Sequence, residues 1–293
     1  MNRLDVVIPC HNSAHCVGRQ LAALGRQRTA VDWGLVIVDD GSDDDLAAVV
    51  SAHASRLPDV RIINRPRRGG TGAARNTGAR AATAEGLLFL DADDEIADGY
   101  LDAMAAALAE ADLVTARIDY QRLNPPTVLR RTPADQLCDV LTVSLFKAHV
   151  LGGLMGMSRE LFDRLGGFDE SLPALADVDI SWRAQLAGHT IGVADTVVSV
   201  SVRGTHRGRL RRGRFQGRDA VALRAKHAPY GARPLGWAAH LADWLALPAQ
   251  VARAGRPAAL SALVWELGWQ TGVLGALLAG ASRVPVPSVP ETS

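Results

Sequence analysis

Residues 86–96 read GLLFLDADDEI: Leu87 to Leu90 form an unbroken apolar run, and Asp91, Asp93, Asp94 and Glu95 end it. A short run that is apolar at every position reads as a strand buried on both faces, here with carboxylates at its carboxyl end. Four acids in one turn repel one another. Unless the turn is only a solvated loop, such a cluster calls for a cation.

The same grammar recurs on either side. DVVIP at 5–9, LVIVDD at 35–40, VRIIN at 60–64 and DLVTAR at 112–117 alternate with helical patterns near 14–27, 45–56, 72–83 and 98–110. Repeated β-α alternation with continuous apolar strands predicts an α/β fold, a mostly parallel sheet with flanking helices that gathers ligands at the carboxyl ends of its strands. Pro9-Cys10-His11-Asn12, Asp39-Asp40-Gly41-Ser42 and Asp91-Ala92-Asp93 all fall at such ends. Three polar clusters therefore converge on one edge.

Beyond residue 118 the pattern loosens around Pro125, Pro126 and Pro133. It recovers in a helix near 137–149, the apolar segment LGGLMGMS, helices near 159–165 and 177–187 flanking the turn Gly166–Glu170, and a strand over 190–202. The chain shows no internal repeat and no low-complexity tract.

With 293 residues, 48% hydrophobic and 22% charged, the chain has the composition of a folded enzyme and can bury a sizeable core. The opening MNRLDVVIPC has no secretory pattern, and three cysteines (Cys10, Cys16, Cys138) suit a reducing compartment, so the expected location is the cytoplasm. The net charge of +1 hides an asymmetry. Residues 1–200 hold 19 basic and 27 acidic side chains, whereas residues 201–293 hold 13 and 4. Seven arginines lie between Arg203 and Arg218 with no acid among them, and four of the six tryptophans (Trp237, Trp244, Trp265, Trp269) follow. That tail suits anionic headgroups at the inner face of the cytoplasmic membrane. Packing on the rest of the chain and a homodimer contact are its alternatives. The stretch is broken by Pro248, Arg253, Arg256, Pro257 and Glu266, which leaves no clean span of about 20 uncharged residues. No nucleic-acid partner is expected, because no pattern of interleaved aromatics accompanies the arginines.

Four motifs in order, VVIPCHN, VIVDDGS, GGTGAARNTGARAATAEGLLFLDADD and GGFDESLPALADVDISWRAQLAGH, make residues 3–227 resemble the family 2 glycosyltransferases of the GT-A fold. The resemblance implies a catalytic domain over 1–227, with a nucleotide-sugar half at 1–115 and an acceptor half at 116–227, followed by a helical extension over 228–293. It implies a nucleotide-sugar donor and a glycan, lipid-linked or small-molecule acceptor. The Asp91-Ala92-Asp93 motif would hold Mg²⁺ or Mn²⁺ on the donor diphosphate, with Asp93 the direct ligand; hard oxygen ligands suit both ions.

Further roles follow from the resemblance alone. Pro9 and His11 would line the donor site, with His11 in the place of a tyrosine that stacks on the base. Asp40 would accept from the base and Arg75 would reach it, while an Asp-Gly turn accounts for Asp40 equally well. Asp177, in ADVDISWR, matches the base that deprotonates the acceptor hydroxyl, which implies inversion at the sugar. Its plainer alternative is an acid favoured at a helix N-terminus. Asp179 lies about 200° further round the helix and is expected to pair with Arg183 at i,i+4. His206 either completes the metal shell or is an exposed histidine in an arginine-rich loop. Ala176 stands where relatives commonly carry glutamate, which supports the alternative of a weak or inactive nucleotide-sugar-binding module. A zinc site from Cys10, His11, His15 and Cys16 is disfavoured by its spacing.

Overall fold

Every position of the strand β4 (Gly86–Leu90) is buried, as its apolar sequence requires. In the computed structural model, which describes residues 1, 3–132, 142–144, 146–202, 205–253 and 256–280, β4 lies parallel to β1 (Arg3–Cys10). Strand β1 pairs in parallel with β2 (Asp32–Asp39), and β2 with β3 (Val60–Asn64). The helices α1 (Ala14–Gly25), α2 (Leu46–His53) and α3 (Thr71–Ala81) connect these strands. Alternation along β1 sends Val6 and Ile8 into one core layer and Val7 into the other, so both faces are covered. Gly78 lets α3 lie directly on the sheet, since a Cβ there would stand 2.3 Å from Val7 Cγ1.

The second half departs from pure β-α alternation. Helix α4 (Tyr100–Glu110) leads to β6 (Leu113–Asp119), which the short α5 (Pro126–Leu129) follows, and β9 (Leu154–Ser158), which runs into α6 (Arg159–Arg164), is antiparallel between β4 and β6. Outside them lie β10 (Ile191–Ser199), parallel to β6, and the two-residue β5 (Glu95–Ile96), antiparallel to β10. The order across the eight-stranded sheet is β3-β2-β1-β4-β9-β6-β10-β5. Gly156 permits β9 to fit there, as its Cβ would press on Val114, Met104 and Leu88.

The helix expected near 137–149 is corrected where it is described. Strands β7 (Thr142–Ser144) and β8 (Lys147–His149) form an antiparallel hairpin, while residues 137–141 and 145 lie outside the described residues. Thr142 and Val143 are β-branched and favour a strand. Helix α7 (Ala176–Leu186) holds β8 in place: Trp182 Nε1 donates to the Lys147 carbonyl at 3.0 Å, and Gln185 Nε2 to that of Ala148 at 2.7 Å.

Three helices close the chain: α8 (His206–Lys226), α9 (Trp237–Arg253) and α10 (Arg256–Leu278). Val178 and Trp182 of α7 share one apolar cluster with Val221 and Leu223 of α8 and Val273 and Leu277 of α10. Glycines one turn apart bring α8 and α10 into backbone contact. A Cβ at Gly213 or Gly217 would lie 2.2 Å from the Trp265 or Trp269 carbonyl oxygen, and one at Gly272 2.1 Å from that of Arg214. The boundary expected at residue 227 thus falls between two helices that pack on each other.

A buried ionic hub fastens this unit to α7. Asp179, fully buried, accepts from Arg183 Nε at 2.7 Å, as its i,i+4 spacing predicts, from His227 Nε2 at 2.9 Å, and lies 2.9 Å from Lys226 Nζ. Burial raises its pKa, but the His227 hydrogen bond and the charges of Arg183 and Lys226 outweigh burial and hold the carboxyl well below the usual range. A carboxyl depressed in the folded state stabilises above its unfolded pKa of about 3.9, and that contribution is lost as pH falls through the folded value. Asp179→Asn is expected to cost about 3–5 kcal/mol, because it leaves buried cations uncompensated. Denaturant unfolding at neutral pH checks this: an unchanged midpoint would show that the hub is not what fastens α8.

Candidate active site

The carboxyl ends of β1 and β4 meet at a cleft of about 980 Å³, large enough for a nucleotide with a sugar attached. Its lining includes Pro9 near the end of β1 and His11 just after it, Arg68 and Thr71 at the start of α3, Asp91 and Asp93 after β4, and Arg19 of α1. Arg211 of α8 also lines it. Asn12, in the left-handed region at φ 52°, ties two of the loops together: its N–H donates to Ser42 Oγ, and its Oδ1 accepts from the Asp43 N–H. The Asp39-Asp40-Gly41-Ser42 turn is closed by the Ser42 N–H on Asp39 Oδ1.

Asp91, Asp93 and Asp94 can each offer an oxygen within 4.8 Å of the others. This is the carboxylate cluster foreshadowed in the sequence. Helix α1 fixes its backbone, with Arg19 donating to the Asp93 carbonyl at 2.7 Å, while Gln20, fully buried, accepts from the Ile96 N–H at 3.0 Å. Asp94 is buried and accepts from the Ser201 N–H; burial, then the charges of Asp91 and Asp93, push its carboxyl well above the ordinary range. Oxygen donors of high negative charge at this spacing fit a hard divalent cation such as Mg²⁺ or Mn²⁺. Among the described residues the His and Cys side chains near 10–16 form no such group. Cys10 is buried, and its thiol is held protonated by that burial.

Arg75 is turned onto the carboxylate cluster. It is 5% exposed, its Nη2 stands 2.7 Å from Asp91 Oδ1, and its guanidinium lies 5.6 Å from the centre of the Phe168 ring. The next residue, Asn76, donates to the Phe168 carbonyl and accepts from the Phe168 N–H, fixing the Gly166–Glu170 turn. Asp40 is likewise turned inward. One oxygen accepts from Gly69 N–H at 2.9 Å and the other from Gly70 N–H at 2.8 Å, with Arg65 Nη1 3.0 Å away, so this carboxylate shapes the loop entering α3. His11 Nδ1 pairs with the Asp40 carbonyl at 3.1 Å.

Asp177 lies in the first turn of α7, and its Oδ2 accepts from the Gly152 N–H at 3.0 Å. Gly152 and Gly153 join this acid to the β4 cluster. A Cβ at Gly152 would stand 2.1 Å from Arg75 Nη1, and one at Gly153 2.6 Å from Asp91 Oδ2. With no Cβ at either position, Arg75, Asp91 and Asp177 gather around this pair. The segment LGGLMGMS was legible as apolar, but no local signal in it announced that role. His149, 7% exposed at the end of β8, is also near Asp177; burial pushes its pKa down and the Asp177 charge opposes that shift. Ala176 is buried beside Gly72 of α3. His206 is exposed at the first turn of α8 and is not part of the carboxylate group.

A β-α sheet that ends in this carboxylate turn defines a GT-A transferase fold, and solved structures agree. The chain superimposes on S. aureus TarS 1-349 in complex with UDP with a TM-score of 0.53 at 18% identity, covering 94% of this chain and 92% of that one. With the mannosyltransferase PcManGT from Pyrobaculum calidifontis, in complex with GDP-Man and Mn²⁺, the TM-score is 0.58 at 21% identity, covering 97% and 76%. The family model described as Glycosyl transferase family 2 matches residues 5–166, and the chain belongs to that family. It is 29% identical over 248 residues to the pre-mycofactocin glycosyltransferase of Mycobacterium tuberculosis, across 76% of this chain but only 48% of that protein. It is 31% identical over 183 residues to a PGL/p-HBAD biosynthesis glycosyltransferase of Mycobacterium bovis, across 61% and 68%. The chain thus spans about half the length of the first of these relatives.

Replacing Gly152 by Ala is expected to displace Arg75 from Asp91 and to cost about 1–3 kcal/mol of stability through overpacking. Nucleoside-diphosphate affinity in the presence of Mn²⁺ should fall with it. Calorimetric titration and unfolding, run side by side on G152A, check both; wild-type values in each would mean that the close approach is not required.

Proposed function

We propose that this glycosyltransferase moves a sugar from a nucleoside-diphosphate donor to an acceptor hydroxyl by a single, inverting displacement assisted by Mg²⁺ or Mn²⁺. The observation that carries the reading is the carboxylate turn after β4, joined to Asp177 through the glycine pair. Donors of the kind held by structural neighbours, which include UDP-GlcNAc and GDP-Man, fit the size of the cleft. Pro9 and His11 would flank the base, with Asp40 shaping the wall behind them.

Asp93, with Asp91 beside it, would hold the divalent cation, which when bound supplies Lewis-acid stabilisation to the departing diphosphate. Arg75 keeps Asp91 in place and offsets part of the cluster's negative charge. For His206 to join that shell, the N-terminus of α8 would have to move towards Asp93. Asp177 takes the proton of the acceptor hydroxyl as its oxygen bonds to the anomeric carbon. The bond from that carbon to the diphosphate oxygen breaks, and its electron pair leaves with the nucleoside diphosphate. Attack opposite the leaving group inverts the centre. The acceptor proposed is a glycan, a lipid-linked saccharide or a small molecule.

The location proposed is the cytoplasm, with the C-terminal helices against the inner face of the cytoplasmic membrane. No helix among the described residues is long and apolar enough to cross a membrane.

Two substitutions separate the roles. Asp93→Ala is expected to abolish the Mn²⁺ dependence of UDP or GDP binding while leaving the fold intact; equal affinity and equal metal response in mutant and wild type would refute the metal role. Asp177→Asn should keep donor binding and lower transfer by a factor on the order of 10² to 10⁴, the range of lost general-base catalysis. A mild effect there would remove Asp177 from the chemistry.

A further inference from the structure

Helix α8 carries Arg207, Arg211, Arg214 and Arg218 at i, i+4, i+7 and i+11, a spacing that lines them along one face. All four are exposed, whereas Gly213, Gly217 and Ala220 on the side facing the rest of the protein are buried. Leu210 and Phe215 flank the stripe and are 44% and 46% exposed. Like charges one turn apart on a helix repel. Among the described residues, Arg218 pairs with Asp219, and Arg207, Arg211 and Arg214 have no carboxylate partner. A helix that gathers unneutralised arginines beside bare apolar side chains has the composition of a surface for anionic headgroups. Helix α9 adds a second exposed apolar stripe, Trp237, Leu241, Trp244 and Leu245 at i, i+4, i+7 and i+8. A soluble polyanion would engage the arginines but has no use for these apolar residues.

Arg211 fixes where the stripe stands relative to the chemistry, because it also lines the donor cleft together with Asp91 and Asp93. Resting on the transferase reading above, we propose that the α8 stripe docks the enzyme on an anionic bilayer with the cleft mouth beside the membrane, so that the acceptor hydroxyl is presented by a membrane-anchored molecule. Docking leaves the cleft open to the water-soluble donor. Salt weakens it, because headgroup attraction decays within a Debye length.

The test is flotation of the full chain with vesicles of phosphatidylcholine, with and without phosphatidylglycerol, at low and high salt, alongside UDP and GDP titrations with Mn²⁺. The wild type is expected to float only with phosphatidylglycerol vesicles and to be released by salt. Arg207→Gln with Arg214→Gln should weaken binding about thirty-fold, the equivalent of about 2 kcal/mol from two basic residues. Phe215→Ser should weaken it further while nucleotide titrations stay at wild-type values. An enzyme that binds nucleotide but ignores anionic vesicles at low salt would overturn docking, and so would capture by soluble polyphosphate without vesicle binding. Vesicles that displace bound nucleotide would also overturn it, by making the stripe part of the donor site. Nucleotide binding without any transfer would count against the proposed function and leave docking standing.

Discussion

The pairing of Arg75 with Asp91 is the constraint around which the rest of this structure is arranged. Three carboxylates share one turn after β4, and a buried guanidinium 2.7 Å from the first of them is their internal counter-charge. Arg75 pairs with Asp91, while burial and the neighbouring charges favour the protonated form of Asp94, so a cation bound at this turn would relieve repulsion among its carboxylates. Because Arg75 is buried, it too depends on the contact, and losing Asp91 would strand a charge away from water. Its neighbours follow from that dependence. Phe168 covers the guanidinium, Asn76 fixes the turn that carries Phe168, and Gly152 and Gly153 stand where any Cβ would collide with the pair.

Helix α7 extends this arrangement to the other end of the molecule. Asp177 and Asp179 are two residues apart and face opposite sides. One meets the glycine pair at the site, and the other is buried among Arg183, Lys226 and His227 at the end of α8. The α8–α10 pair is thereby fastened to the helix that presents the proposed base. Its arginine face and the cleft beside the carboxylate turn share Arg211.

Much of this was legible in the sequence where a signal was local. The run from Leu87 to Leu90 and its acids gave β4 and the carboxylate turn, and the i,i+4 relation gave the Asp179–Arg183 pair. The hairpin at β7 and β8 carries a helical pattern in its sequence yet forms strands, with β8 held by Trp182 and Gln185 some 35 residues away, which local periodicity does not register. Gly152 and Gly153 were invisible for a related reason. What they permit is an approach between α3, β4 and α7, and spacing within LGGLMGMS carries no trace of it. Arg75 could be marked as functional from its motif, but only packing shows that its charge is spent on Asp91. Nor could composition decide the fate of the C-terminal helices, since glycines one turn apart make α8 and α10 a packed pair while leaving the apolar stripe of α9 exposed.

The most direct test of this account is anomalous diffraction from crystals grown with Mn²⁺ and UDP or GDP. The expected result is an anomalous peak at the Asp91–Asp94 turn, within bonding distance of a carboxylate oxygen of Asp93, with Arg75 still on Asp91. A diphosphate bound in the cleft with no Mn²⁺ at the Asp91–Asp94 turn, or Mn²⁺ held elsewhere on the chain, would contradict it.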